Sequence, residues 1–79
     1  MSNPNGLYGI RGSAPVTPSD SAEIAPTRAI LVGVAGDVKV TYVDGMVDTL
    51  PLAASVWYPM QVKVIWDNGT DATNIHAGY

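Results

Sequence analysis

DVKVTYVDGMVDTL (37–50) decides the fold. Val38, Val40 and Tyr42 alternate with Lys39 and Thr41, the period-2 pattern of a half-buried strand. Asp44-Gly45 then supplies a hairpin signal, because glycine accepts positive φ without a Cβ clash. MVDTL (46–50) returns as the partner strand. A two-residue turn places Tyr42 opposite Val47 and Thr41 opposite Asp48, and an aromatic beside a β-branched residue is a favourable cross-strand pair.

Working outward, RAILVG (28–33) is a short apolar run, and Gly33 to Gly36 read as a turn. Pro51 interrupts after the hairpin, and LAASVWY (52–58) is expected to become a strand at 55–58. MQVKVIW (60–66) alternates again, with Met60, Val62, Val64 and Trp66 on one face and Gln61, Lys63 and Ile65 on the other. Asp67-Asn68-Gly69-Thr70 is turn chemistry, and ATNIHAGY (72–79) reads as an edge strand. No stretch has the length and period of a helix. The expectation is an all-β fold, a small β-barrel or sandwich of five to six short strands in a domain over residues 25–79.

Residues 1–24 differ. Proline at 4, 15 and 18 and glycine at 6, 9 and 12 leave no periodicity, so this segment reads as an extended N-terminal arm. Leu7, Tyr8 and Ile10 form an apolar island with Arg11 beside it, the arm's candidate contact with a neighbouring subunit. Docking would order the arm, and a few large side chains must offset that entropy.

Composition narrows the function classes. A chain of 79 residues has at most one small core, and stability at this size usually needs disulfides, a metal or a partner chain. Cysteine is absent and His76 is the single histidine, which removes disulfides and a structural zinc site. Association is the remaining route. Charged residues make up 14% and hydrophobic residues 47%, so some apolar surface is expected to meet another chain. A net charge of -3 with four scattered basic residues argues against nucleic acid. No run approaches the roughly 20 apolar residues of a membrane helix. The first twenty residues lack a basic start and an apolar run, so intracellular synthesis is expected.

No active site or cofactor is expected. Gly33-Val34-Ala35-Gly36 follows a strand, as a phosphate loop would, but no helix follows it. Asp67, Asn68 and Asp71 crowd one loop, yet lack the terminal Glu of a calcium loop, so turn chemistry is the simpler reading. His76 has no companion acid and nucleophile placed for a triad and reads as a strand residue. Trp57, Tyr58 and Trp66 are core or subunit interface, since large aromatics dominate both settings.

The stretch IAPTRAILVGVAGDVKVTYVDG (24–45), continuing through LPLAASVWYPMQVKVIWDNGTDATNIHAGY (50–79), resembles small head-associated proteins of tailed phages and gene transfer agents, the capsid spike base proteins. Four features carry the resemblance: Pro26-Thr27-Arg28-Ala29, the turn from Gly33 to Asp37, Pro-Met-Gln-Val-Lys-Val (59–64), and Gly69 to Ile75 leading to a terminal tyrosine. It implies a virion structural protein on the outer capsid surface, made in the bacterial host cytoplasm and bound to the major capsid protein. The long apolar arm points to a decoration (cement) protein, acting as a homotrimer at local three-fold positions. The alternatives are a base that anchors a spike or fibre protein, or a free-standing ligand-binding β module.

Overall fold

The computed structural model describes residues 10–79. It is all-β, with seven strands in two antiparallel sheets. The strands are β1 (Ser13–Val16), β2 (Ala29–Val34), β3 (Gly36–Tyr42), β4 (Val47–Leu52), β5 (Tyr58–Pro59), β6 (Val62–Ile65) and β7 (Thr73–Gly78). One sheet runs β1-β7-β2-β5 and the other β4-β3-β6. Ile30, Val32, Ile75 and Ala77 from the first sheet meet Val38, Val40, Val62 and Ile65 from the second. Leu52 and Ala72 complete this buried cluster.

The segment Gly33–Gly36 is not a hairpin turn. β2 and β3 lie in different sheets, with only Ala35 between them. The chain turns a corner there and passes from one layer to the other, as strands do where two sheets share an edge. A loop crosses tightly at this corner, with the Asp71 and Ala72 N–H groups both donating to the Asp37 carbonyl (2.7 and 3.2 Å).

The β3–β4 hairpin forms, but one residue out of the expected register. Thr41 pairs with Val47 and Val40 with Asp48. The Tyr42 N–H donates to the Met46 carbonyl, and the Gly45 N–H donates to the Tyr42 carbonyl. The loop is therefore three residues, Val43-Asp44-Gly45, with Gly45 at φ +98° in the bulge position. The Asp44 carboxylate accepts the Met46 N–H (3.0 Å) and stabilises the longer turn. A side chain at Gly45 meets no steric obstacle, so backbone conformation alone penalises substitution. Gly45→Val is expected to cost about 1–2 kcal/mol, read as a lower midpoint in circular-dichroism melts.

The alternation expected over 60–66 breaks within β6. Thr41 faces Val64 while Tyr42 faces Val62, so Lys63 is an extra residue in a β-bulge. The bulge inverts the parity that follows. Val62 and Ile65 both join the main core cluster, while Val64 turns to the other face beside Thr41 and Trp66, where it is still buried. Pro51 does not end its strand but sits within β4 opposite Asp37. The strand expected at 55–58 is reduced to Tyr58–Pro59, because Ser55 adopts φ +62°.

The largest departure concerns the segment read as an arm. It is extended, but residues 13–16 are a strand of the domain itself, paired with β7 from Ser13–Gly78 to Val16–Ile75. The chain then crosses to the other sheet and runs along β6. The Ser19 N–H donates to the Ile65 carbonyl, Ile24 to Lys63 and Thr27 to Val62. Thr27 closes this strap. Its side chain is buried, its hydroxyl donates to the Met60 carbonyl (2.9 Å), and the same oxygen accepts the Val62 N–H (3.1 Å). Thr27→Val keeps the shape and strands both groups. We expect a loss of about 2–3 kcal/mol, measured by chemical denaturation, with Thr27→Ser close to wild type.

Candidate interaction surface

Strand edges are the first place to look for a partner, because an exposed edge templates pairing with another chain. Here each is blunted. Starting from the bonded pair Tyr42–Met46, antiparallel alternation turns Val47, Thr49 and Pro51 of β4 outward. Pro51 has no N–H, and the Thr49 N–H is taken by the Asp48 carboxylate (2.9 Å). On β1 the outward residues are Ser13 and Pro15, and Pro15 again offers no donor. The outer edge of β6 is covered by the strap. β5 is only two residues long and ends at Pro59. Among the described residues the side-chain surfaces are therefore the better candidates for contact with another chain.

Among the described residues the exposed large apolar ones are Val43 (41%), Met46 (66%), Val47 (50%), Val34 (50%) and Val56 (44%), and the first three share the β3–β4 hairpin tip. A groove beside the tip is lined by Pro26, Thr27, Arg28, Val43 and Gln61. Another depression, lined by Val16, Pro18, Asp67 and residues 70–75, opens at the opposite end of the strands.

The residues singled out from sequence are dispersed. Leu7 and Tyr8 lie outside the described residues. Ile10 packs against its own domain, since a Cβ built at Gly78 would meet its Cδ1 at 2.8 Å and the Trp57 ring at 3.0 Å. Arg11 is exposed beside it, with its backbone bonded to Tyr79. Tyr58 packs against the core, and its hydroxyl accepts the Ala53 N–H (2.9 Å). Trp66 lies on the outer face of the other sheet, where its Nε1 donates to the Thr41 hydroxyl (2.9 Å) and the Lys39 ammonium sits 4.4 Å from the ring centre. The Trp57 ring lies against Gly78 of β7 and Trp66 against Thr41 of β3, in different sheets, so the aromatics do not form one platform.

His76 sits half-buried in β7 between Pro15 and Leu31. Among the described residues no group of three or more His, Cys, Asp or Glu side chains is gathered to hold a metal. The 67–70 turn is held by a residue the sequence reading passed over. The Asp20 carboxylate accepts the backbone N–H of Asp67 (3.0 Å) and of Asn68 (2.8 Å). This contact spans 47 and 48 residues of sequence, so no local motif announces it.

No family model matches the chain, and no curated protein matches it. Among solved structures, it is similar to a chain of one described as "Capsid of native GTA particle computed with C5 symmetry". The identity is 24%, the TM-score 0.81, and the match covers 89% of this chain and 83% of that one. The two chains share a fold. Coverage from both sides means that nearly the whole domain, rather than a common hairpin, is held in common.

Proposed function

We propose that the chain is a virion structural protein of a tailed phage or gene transfer agent, seated on the outer face of the capsid shell. The observation that carries this reading is the fold shared across 89% of the chain with a chain from a gene transfer agent capsid. The independent resemblance of segments 24–45 and 50–79 to head-associated proteins points the same way. The role is passive. Its partners are the major capsid protein and other copies of itself, and it needs no catalytic group.

Within that role, cement and spike base make different demands. Cement works by reaching across neighbouring capsomers, and the expectation of cement leaned on an arm of 24 residues. The described part of that segment, residues 10–24, lies on its own domain instead. A segment folded back on its own β domain suits a base that holds a spike or fibre better than a strap across capsomers. Cement retains the apolar pair Leu7 and Tyr8, which lie outside the described residues. A homotrimer at three-fold positions belongs to the cement reading.

Co-sedimentation of the purified full-length chain with capsids assembled without it tests the proposal. Saturable binding to the outer surface is the expected result. Binding that never saturates, or none at all, would remove the shell as its partner.

A further inference from the structure

The strand directions sort the charged side chains by end. β1, β2 and β6 begin, and β3 and β7 finish, at the end that carries the hairpin tip. Arg11 precedes β1 and Arg28 precedes β2, so both arginines of the chain lie at this end, exposed. Val43, Met46 and Val47 are exposed there too, and Val43 shares a groove with Arg28. The chain enters the described fold at this end through Ile10, two residues after Tyr8.

The opposite end is acidic. The 67–71 loop brings Asp67 and Asp71 to Asp37 and to Asp20, which holds the loop from the strap. Four of the seven acidic residues are thus gathered at one end, while the hairpin end has one, Asp44, engaged with the Met46 N–H of its own turn. Asp48, Glu23 and Lys63 lie between the two ends, and Lys39 packs its side chain against Gly69 and the Trp66 ring, one cation beside the four carboxylates.

We infer that the hairpin end docks on the shell and the acidic end faces outward. The surface it fits is a protein surface with an apolar centre and carboxylates at its rim, belonging to the capsid shell protein. Two separate features coincide at that end: three of the five exposed large apolar side chains among the described residues, and both arginines. A flexible Met at the centre of such a contact adapts to an irregular apolar surface. Arginine suits the rim because its planar fork matches a carboxylate. The acidic end would be repelled by the same carboxylates, so charge selects one of the two orientations. This inference rests on the capsid reading above.

Binding of full-length variants to capsids lacking the protein tests it. The variants are Arg11→Glu with Arg28→Glu, Met46→Asp alone, and Asp67→Lys with Asp71→Lys. All the substituted side chains are exposed, and circular dichroism checks that each variant is folded. The inference expects the arginine reversal and Met46→Asp each to weaken binding about tenfold or more. The lysine variant should bind within about twofold of wild type. Unchanged binding by both hairpin-end variants overturns the inference, as does loss confined to the lysine variant. A wild-type chain that fails to bind removes the capsid reading itself, and the inference with it.

Discussion

Deleting residues 1–20 unfolds the domain or lowers its melting midpoint by more than about 12 °C, whereas deleting residues 1–9 leaves the midpoint nearly unchanged. The longer deletion removes β1 and exposes the edge of β7. It also removes Val16 from the core margin, the Ser19 bond to β6, and the Asp20 carboxylate that holds the 67–70 turn. Several backbone hydrogen bonds at about 1 kcal/mol each and one half-buried valine sum to more than about 3 kcal/mol. In a domain this small each kcal/mol is worth roughly 4–8 °C. The shorter deletion leaves all of these contacts in place. Circular-dichroism melts of the two truncations beside the full chain check the contrast. A folded, wild-type-like domain after the longer deletion would mean that β1 and the strap add nothing.

Gly36→Val has the next largest expected effect, a loss of about 3 kcal/mol or more. A Cβ at this position would stand 2.7 Å from the Ala72 nitrogen and 3.0 Å from both the Ala72 Cα and the Asp71 carbonyl carbon. Those are backbone atoms, and the loop that carries them is pinned by two hydrogen bonds to the Asp37 carbonyl. No side chain can swing aside to make room. The alternative is to lift the loop and open the corner where β2 passes into β3. Gly12→Ala is the control, since a Cβ there meets nothing within 4 Å. Urea denaturation of the pair measures the difference, and equal midpoints would show that the corner is slack.

The all-β class was legible because alternation over 37–43 and 60–66 is a local signal. The details it missed have a common cause. The hairpin register depends on whether Asp44-Gly45 closes a two- or three-residue loop, and one residue of difference shifts the pairing along the whole of β4. The β6 bulge likewise inverts parity at Lys63, which turns Ile65 into the main core cluster and Val64, still buried, to the other face of the sheet. Pro15 and Pro51 read as interruptions, yet each lies within an edge strand, the place in a sheet where a missing N–H costs little. β1 was hidden for the same reason, because proline and glycine mask an edge strand as a loose arm.

The candidate surface was less legible than the fold. Exposed residues such as Met46 and Arg28 carry no periodic signature, and their neighbourhood follows from strand direction rather than spacing. The sequence reading picked Ile10, Arg11, Trp57, Tyr58 and Trp66 by residue type. The structure turns Tyr58 towards the core and places Trp66 over Thr41. Ile10 and Arg11 remain at the hairpin end, in the company of side chains the sequence reading did not join to them.

The central claim is that this protein belongs to the particle, and the composition of purified particles tests it most directly. Quantitative mass spectrometry of particles produced by cells carrying the gene should find the chain in a fixed ratio to the shell protein. A few copies per particle is the result predicted for a spike base, and a ratio near one would return the cement reading to first place. Particles that contain none of it, from cells that make the protein, would contradict the account.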